Sequence, residues 1–351
     1  MAKMMTRAVI VAPGRVELEQ VPIPKPGPRQ GLVRIKACGI CTWEMRVFKG
    51  SDKAGFYPML GGHEISGIVE ELGAGSLPGV NIGDHVAIGL DNLVRCHQCD
   101  SCRRGNDNLC DNLLWQDRIS NEPFGPGGFG EYLAVDTRRM FRIDDSVPFV
   151  EAALAEPLAC VLRSLKKASV HSGDYIVVVG AGIMGLLHLI LAKRAQTTVI
   201  VSEPIPTRAE MARALGADHT INPLQEDFVA RVRQITSDRG ADIIFVAVGI
   251  AGAVEQSIQA VAKAGRVHCY ASFHPRGMRI SLDPNLFHGK EIVLTGTVGQ
   301  DHEDFLRAAA ILSSRALDLK PLISRTYPLS QISTAFEDAQ RADTYRVVLT
   351  M

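Results

Sequence analysis

The chain has 351 residues, and its 38 Lys and Arg residues balance 38 Asp and Glu residues, so the formal net charge is zero. A neutral chain has no general electrostatic attraction for a polyanion or an anionic membrane surface, which argues against nucleic acid and membrane as partners. Apolar residues make up 46% of the chain and charged residues 22%, a composition typical of a globular protein with about two domains.

The beginning of the chain, residues 1–14, lacks the charged segment, apolar run and small-residue cleavage site of a secretory signal. We therefore expect a cytoplasmic protein with a first strand at Ala8–Ala12. The longest apolar stretch, Ile176–Ala192, is interrupted by three glycines and a histidine, so no membrane helix is predicted. Eight cysteines in such a chain do not indicate a disulfide framework, and metal ligation is the better interpretation.

The first 150 residues contain short apolar runs separated by Gly, Pro and Asn/Asp clusters, which predicts a mostly β domain. Its clearest strands are Leu32–Ala37, Gly67–Leu72 and His85–Ile88. From about Ser172, apolar strands alternate with amphipathic stretches, which predicts βαβ units in a doubly wound parallel sheet. The alternating segments are Tyr175–Val179, Gly185–Arg194, Val199–Val201, Arg208–Leu215, Ile243–Val246, Val254–Ala262 and Val267–Tyr270.

The segment beyond Gly299 predicts two helices, Glu303–Ser313 and Ile332–Arg341, and a final strand, Arg346–Leu349. This tail is short for a third domain, so we expect it to pack on the first domain.

A glycine motif lies between the predicted strand Ile176–Val179 and a predicted helix. Its residues are Gly180, Ala181, Gly182, Ile183, Met184 and Gly185. The first glycine allows a tight turn, the second lets backbone N–H groups approach a pyrophosphate, and the third permits close packing of the helix. Because a helix N-terminus favours negative charge, the motif predicts a dinucleotide site.

The next predicted strand, Val199–Val201, is followed by Glu203, twenty-three residues after Gly180. A carboxylate in this position accepts hydrogen bonds from a ribose hydroxyl and repels a 2′-phosphate, so the sequence favours NAD over NADP. Arg208 keeps NADP as the alternative coenzyme, because an arginine near Glu203 could pair with the 2′-phosphate. The alternative is that Arg208 is a solvated residue at the start of a helix.

Four cysteines lie within fifteen residues, at positions Cys96, Cys99, Cys102 and Cys110. Four soft ligands without an open position are typical of a structural zinc site, which would hold a loop together and perform no chemistry. A bacterial-type iron–sulfur cluster would place the last cysteine three residues on and follow it with proline, whereas this chain has a gap of seven and Asp111. A nucleic-acid-binding zinc module is disfavoured by the neutral charge.

A second group of metal-binding residue types is spread over separate predicted loops. Cys41 follows a strand, His63 and Glu64 follow two glycines, and Glu156 precedes Pro157. A thiolate, an imidazole and a carboxylate leave one position for water or substrate, as a catalytic zinc requires. Spacing alone does not assemble these residues. Glu156 could also be an acidic residue that stabilises the start of a helix.

The chain resembles the zinc-dependent medium-chain dehydrogenase/reductase family, which is alcohol dehydrogenase-like, and particularly its sorbitol and threonine dehydrogenase branches. The resemblance covers essentially the whole length. It rests on Gly-Ile-Cys at 39–41, Gly-His-Glu at 62–64, the four-cysteine segment at 96–110, Glu-Pro-Leu at 156–158, the glycine motif at 180–185 and Gly-Ala-Asp at 216–218.

This resemblance implies an α/β protein with two domains and an active site in the cleft between them. Residues 1–155 and 300–351 would form a GroES-like, β-rich catalytic domain, and residues 156–299 a Rossmann coenzyme domain with a doubly wound parallel sheet. Cys41, His63 and Glu156 would hold the catalytic zinc. Glu64 would be an alternate ligand or lie just behind the ligands. The cofactors would be two Zn²⁺ ions, one catalytic and one structural, and NAD.

The chain departs from the family after Cys41. Relatives usually continue with Gly, then Ser or Thr, then Asp, whereas this chain reads Thr42-Trp43-Glu44-Met45-Arg46. The hydroxyl that passes the substrate proton toward solvent is replaced by Trp43, so Thr42, Glu64 or a chain of waters must carry the proton. Alternatively the change marks another substrate class, because an indole stacks on a sugar ring and Arg46 could pair with a carboxylate or phosphate.

The expected reaction is reversible oxidation of a secondary alcohol of a polyol, sugar or inositol to its ketone, with hydride transfer to NAD. Threonine or amino-alcohol dehydrogenation, carbonyl reduction, a non-catalytic ligand-binding relative and a zinc-ribbon interaction module are the alternatives. The partners would be the small alcohol or ketone and further copies of the chain. We expect a tetramer or dimer, with Ile280–Leu282 and Ile292–Thr295 as a candidate sheet edge.

Overall fold

The computed structural model describes residues 3–51, 57–76, 79–89, 93–112, 114–115 and 123–351. The chain divides into two compact units, of which the first comprises residues 1–160 and 299–351 and the second residues 161–298. The sequence predicted these divisions after residues 155 and 299. No helix in the described part of the chain combines the length and the apolar character needed to cross a bilayer.

Strands and helices are numbered in chain order. The strands are β1 (Met4–Ala12), β2 (Arg15–Pro22), β3 (Gln30–Gly39), β4 (Glu64–Leu72), β5 (His85–Ile88), β6 (Leu93–Val94), β7 (Leu114–Trp115), β8 (Tyr132–Asp136), β9 (Met140–Arg142), β10 (Tyr175–Val179), β11 (Thr198–Ser202), β12 (His219–Ile221), β13 (Ala241–Val246), β14 (Val261–Cys269), β15 (Val293–Gly296), β16 (Ile323–Pro328) and β17 (Arg346–Thr350). The helices are α1 (Thr42–Phe48), α2 (Asp100–Arg103), α3 (Phe149–Ala152), α4 (Ala155–Ala168), α5 (Ile183–Arg194), α6 (Pro206–Ala214), α7 (Phe228–Ile235), α8 (Ala251–Ala260), α9 (Pro284–Lys290), α10 (His302–Ser313) and α11 (Ile332–Asp338).

The first unit is built on a mixed, mostly antiparallel sheet with the order β16-β17-β3-β4-β5-β9, and β8 also pairs with β3. Strand β3 is central because it pairs with β17, β4 and β8, and its apolar residues Val33 and Ile35 are fully buried. Phe129 and Phe336 meet edge to face in the same core, with ring centroids 5.9 Å apart. Burial of these aromatic and β-branched side chains is the main source of stability for a sheet of this kind.

The register of this sheet gathers residues that are distant in sequence. Gly39, at the end of β3, pairs with Glu64, at the start of β4, and on its other side with Val348 of β17. A side chain at Gly39 would overlap the Glu64 carboxylate, so this carboxylate keeps its place because residue 39 is a glycine. The ends of three strands therefore meet beside the loop that carries Cys41.

The second unit contains a six-stranded parallel sheet with the order β12-β11-β10-β13-β14-β15. Its central strand β10 contains Ile176, Val177 and Val178, all with 0% exposure. A continuous apolar run of this kind is typical of a parallel strand covered on both faces. The strand order reverses between β10 and β13, and ligands of open parallel sheets bind at such a switch point.

The structure confirms the predicted sheet types and most of the predicted elements. The helix predicted from Val254 to Ala262 is wrong at its end, because Val261 and Ala262 already belong to β14. Ile280–Leu282 is not a strand, so that half of the predicted sheet edge is wrong, whereas β15 forms the edge of the parallel sheet.

Candidate active site and metal centres

The four clustered cysteines converge in the first unit. Cys96, Cys99, Cys102 and Cys110 each offer a sulfur, and all four sulfurs lie within 4.8 Å of one another. The sulfur of Cys110 is 3.5 Å from that of Cys96 and 4.0 Å from that of Cys99. Zn–S bonds of about 2.3 Å at tetrahedral angles place sulfurs about 3.8 Å apart, so the spacing fits one zinc ion.

Hydrogen bonds prepare this cluster for a cation. The Asn112 amide and the backbone N–H groups of Gln98 and Cys99 donate to the Cys96 sulfur over 3.3 to 3.5 Å. These donors, the Asn112 amide foremost, lower the pKa of Cys96 to about 5. A thiolate at neutral pH is the form that ligates metal, so the chemistry of the donors agrees with the spacing.

The second candidate site starts at the N-terminus of α1. The potential ligand atoms of Cys41, Glu44 and His63 lie within 4.8 Å of one another. The buried Glu44 carboxylate contacts His63 Nδ1 at 2.6 Å and accepts hydrogen bonds from the backbone N–H groups of Gly62 and Cys41 at 3.0 and 3.1 Å. Glu44 thereby fixes the imidazole and leaves Nε2 of His63 as the ligand atom.

A second set of ligand atoms shares the same histidine. His63, Glu64 and Glu156 have ligand atoms within 4.8 Å of one another, and both glutamates are buried. Arg346 pairs with Glu64, with Nη2 2.9 Å from Oε1, and donates from Nη1 to the carbonyl oxygen of Ile40 at 2.7 Å. A buried arginine thus balances part of the negative charge in the site.

The structure therefore groups His63 with Cys41 and Glu44 in one set of possible ligands and with Glu64 and Glu156 in another. Burial lowers the pKa of His63, but the carboxylate of Glu44 and the thiol of Cys41 outweigh it and raise the pKa well above its usual range. Sulfur, nitrogen and oxygen donors crowded around one histidine, with acidic groups in excess, are a set that fits a zinc ion.

Sequence reasoning missed two residues of this site, Glu44 and Arg346. Glu44 stands three residues after Cys41, and the spacing that lets a helical side chain reach back to the start of α1 was a signal for it. Arg346 carried no local signal, because its role depends on the pairing of β17 with β3.

Trp43 and Thr42 lie beside this site. Trp43 is half-buried, and its ring meets that of His63 edge on with centroids 5.9 Å apart. Thr42 is exposed. The indole of Trp43 therefore lies against one of the candidate metal ligands.

The glycine motif lies at the switch point of the second unit, between β10 and α5. Gly180 has a φ of +98°, and a side chain at Gly185 would overlap the carbonyl oxygen of Gly180. At Gly182, by contrast, a side chain would meet open space, so the backbone can be approached there. Ile183 and Met184 form the first turn of α5, so the N-terminus of this helix follows directly after the accessible backbone at Gly182.

The carboxylate of Glu203 is hydrogen-bonded to the backbone of the glycine motif. One carboxylate oxygen accepts from the Ala181 N–H at 2.7 Å and the other from the Ile205 N–H at 2.9 Å, and the side chain is 5% exposed. Each oxygen retains a lone pair for a ribose hydroxyl. Arg208, in the first turns of α6, is half-buried.

Comparisons with known proteins agree with both units. Residues 27–145 match the family model of the alcohol dehydrogenase GroES-like domain, and residues 184–314 match that of zinc-binding dehydrogenases. The L-threonine 3-dehydrogenase of Pyrococcus horikoshii is 32% identical over 100% of both chains. The 2-dehydro-3-deoxy-L-galactonate 5-dehydrogenase of Pseudoalteromonas atlantica is 32% identical over 88% of each.

A solved structure is similar along the whole chain. It is a protein of Sinorhizobium meliloti 1021, described provisionally as a zinc-binding dehydrogenase and bound to NADP. Its sequence is 28% identical, it covers 99% of this chain and 100% of its own, and the TM-score is 0.89. The resemblance and the fold class predicted from sequence are confirmed. The chain belongs to the zinc-binding dehydrogenases of the alcohol dehydrogenase family and is an oxidoreductase with a GroES-like domain and a Rossmann-type domain.

Proposed function

We propose that this protein is an NAD-dependent zinc dehydrogenase that interconverts a secondary alcohol of a polyol, sugar or inositol-like substrate and its ketone. The observation that carries the proposal is the convergence of Cys41, Glu64 and Glu156 on His63. The first unit would be the catalytic domain and the second the coenzyme domain. The relative that acts on a deoxygalactonate supports a polyhydroxylated substrate.

Cys41, His63 and one of the two glutamates would hold the catalytic zinc, and the four clustered cysteines the structural zinc. The chemistry that a bound zinc would supply is that of a Lewis acid, which would make the hydroxyl of the alcohol easier to deprotonate near neutral pH. Glu44 holds the His63 ring at Nδ1, and the ion pair with Arg346 fixes the carboxylate of Glu64. The Arg346 pair favours Glu156 as the primary carboxylate ligand and Glu64 as the alternate.

Proton removal must use a group other than Trp43, because an indole N–H donates hydrogen bonds and accepts none. Thr42 adjoins Cys41 and is exposed, so its hydroxyl is our candidate for passing the proton to solvent. Trp43 would form an apolar wall on which the carbon face of a sugar ring packs.

NAD is the proposed coenzyme because the Glu203 carboxylate lies against the glycine motif, where it would repel a 2′-phosphate. The relative solved with NADP is the reason to test this directly. Gly180, Gly182, Ile183, Met184 and Gly185 would contact the pyrophosphate, with Arg208 beyond them.

The experiment that tests the proposal is a screen of polyols, inositols and amino alcohols with NAD, with zinc measured on the same sample. We expect NADH formation from a polyol or inositol and two zinc ions per chain. A clear preference for L-threonine would establish the second candidate function, which the relative from Pyrococcus horikoshii supports. Two zinc ions without turnover of any alcohol would contradict the proposal.

We also propose that copies of the chain associate through β15. Val293 is 43% and Leu294 36% exposed on this edge strand, and an apolar strand edge is a ready template for pairing. The expected result is a dimer or tetramer by light scattering that Val293→Lys dissociates. A monomeric native chain would contradict this.

A further inference from the structure

The loop after β14 carries a serine and a histidine that are hydrogen-bonded to each other. Oγ of Ser272 is 2.8 Å from Nε2 of His274. Ser272 is exposed and His274 is half-buried. Phe273, between them, packs against the apolar core of the second unit and so fixes the loop to the sheet. The hydroxyl of Ser272 is therefore both held in place and accessible to a ligand.

Contacts within the second unit place this pair beside the glycine motif. A side chain at Gly180, the first glycine of the motif, would overlap the side chain of Val248, so the loop after β13 lies against the motif. A side chain at Gly249 would come within 2.9 Å of the carbonyl oxygen of Ser272, so the loops after β13 and β14 also touch. Ser272 is thus separated from the motif by a single loop.

The sheet topology indicates which part of a dinucleotide would meet the pair. The two halves of a dinucleotide bind on opposite sides of the switch point, at the carboxyl ends of the strands. Glu203 follows β11, so the adenosine ribose that it is proposed to bind belongs on that side. The nicotinamide half would then lie over β13 and β14. Because the loop after β13 stands between the motif and Ser272, the pair would meet the end farthest from the pyrophosphate, which is the nicotinamide ring.

We infer that the hydroxyl of Ser272 binds the carboxamide of the nicotinamide and that His274 is the positioning residue for this hydroxyl. The inference rests on the proposed function, because it assumes a nicotinamide coenzyme at the glycine motif. A carboxamide offers N–H donors and a carbonyl acceptor, and a serine hydroxyl donates one hydrogen bond and accepts two. The bond to His274 uses one of these in either tautomer of the ring, and the hydroxyl keeps a group that complements the carboxamide.

This contact would act on the orientation of the ring. A bound carboxamide restrains rotation of the nicotinamide about its bond to the ribose. Hydride transfer needs one face of the ring to be presented at a fixed angle, and such positioning is a large part of what a protein supplies to the reaction.

The test measures coenzyme binding to the zinc-loaded full chain by titration calorimetry, with no alcohol present. NADH carries the carboxamide, whereas ADP-ribose keeps the adenosine, the pyrophosphate and the second ribose but lacks the nicotinamide. We expect Ser272→Ala to weaken NADH binding about three- to tenfold, the scale of one hydrogen bond. Its affinity for ADP-ribose should stay within about twofold of the native value.

Variants of His274 test whether the histidine acts through the serine. His274→Ala should also weaken NADH binding and spare ADP-ribose. The double variant with Ser272→Ala should bind NADH no more weakly than Ser272→Ala alone, because the two residues would contribute one interaction. His274→Gln should restore part of the affinity, since its amide can again hydrogen-bond the hydroxyl.

Two control variants change the same residue types at the opposite edge of the sheet. His171 precedes β10 and Ser237 precedes β13, so both lie at the amino ends of the strands, and both are exposed. His171→Ala and Ser237→Ala should bind NADH and ADP-ribose as the native chain does.

The inference is overturned if Ser272→Ala binds NADH with native affinity. It is also overturned if that variant loses affinity for NADH and ADP-ribose equally, since an equal loss indicates a distorted site. Because no alcohol is used, an error in the proposed substrate class does not affect this result. A native chain that binds neither NADH nor ADP-ribose would show that the proposed coenzyme site is wrong, and the inference would fail with it.

Discussion

At the scale of single residues, the candidate site depends on side chains that serve several partners at once. Glu44 alone accepts from two backbone N–H groups and contacts His63. Metal-binding histidines are commonly held by such a carboxylate, which sets the tautomer and raises ligand basicity. Glu44 therefore keeps a carboxylate against the candidate ligand His63 at the position where the family resemblance leads us to expect Asp.

Glu44→Gln should weaken zinc binding at this site. The amide keeps the shape of the side chain but removes the charge that favours the imidazole ligand, so we expect affinity for one of the two zinc ions to fall about 10- to 100-fold. Competition with a chelator measures this. Glu151 is another buried carboxylate of the same unit and pairs with Arg315, so Glu151→Gln is the control. It should lose both zinc ions at the same chelator concentrations as the native protein.

Glu203→Gln should shift coenzyme preference. Removing the charge abolishes repulsion of a 2′-phosphate while one amide oxygen still accepts a backbone N–H, so we expect the NADP to NAD ratio of kcat/KM to rise about tenfold. Glu210→Gln, exposed on α6, should leave the ratio unchanged. An unchanged ratio in Glu203→Gln would remove this residue from coenzyme selection.

At the scale of elements, the sequence predicted the segments with strong local signals. Strand β10 and the glycine turn were predicted to within one residue, because an apolar run followed by three glycines has few alternative structures. The four-cysteine cluster was likewise contained in one short segment. Strand β14 begins earlier than predicted, because Lys263 and Gly265 interrupt the apolar pattern that indicates a strand over Val261–Cys269.

The catalytic set could not be assembled from local pattern. His63 meets Cys41 in one group of possible ligands and Glu156 in another through the pairing of β3 with β4 and the placement of α4, which no short window of sequence reports. Family resemblance supplied those residues. It did not supply Arg346, whose contacts depend on the tail beyond Gly299 packing on the first unit.

The turn between β10 and α5 offers a test of element packing. Gly185→Ala should lower both dinucleotide affinity and the midpoint of thermal unfolding, because the new methyl group overlaps the carbonyl oxygen of Gly180. Gly252→Ala, in the first turn of α8, meets open space and should stabilise the protein by about 0.4–1 kcal/mol. Calorimetry with and without NAD measures both variants. A Gly185→Ala variant with native NAD affinity and a native midpoint of thermal unfolding would contradict the close approach of residue 185 to the carbonyl oxygen of Gly180.

At the scale of the whole molecule, the second unit buries two neutral histidines. His188 donates from Nδ1 to the Met184 carbonyl oxygen at 2.7 Å and accepts at Nε2 from the Ser164 hydroxyl at 2.9 Å. Burial, foremost, lowers the pKa of His188 to about 3. Burial and then the charge of Lys167 lower the pKa of His268 to about 4. Both histidines must therefore remain uncharged in the folded unit.

This burial predicts that the second unit loses stability in mild acid. The unfolded chain takes up these protons near pH 6.5 and the folded unit only near pH 3 to 4, so stability is complete above pH 6.5 and falls as the pH drops below it. Each histidine contributes a slope of up to about 1.4 kcal/mol per pH unit.

Hydrogen exchange of peptides from β10 and β13 between pH 7.5 and 5 measures this slope, after correction for intrinsic rates. His188→Gln should reduce it by about half, and His219→Gln, exposed on β12, should leave it unchanged. A slope that does not depend on His188 would show that other groups govern the acid response.

The central claim is that this chain holds two zinc ions, one in the cysteine cluster and one at His63. The most direct measurement is zinc per chain in the purified native protein and in the variants His63→Ala and Cys102→Ser. We predict two ions in the native protein and one in each variant. One ion in the native protein, retained by His63→Ala and lost by Cys102→Ser, would contradict the account, because no metal would then occupy the proposed active site.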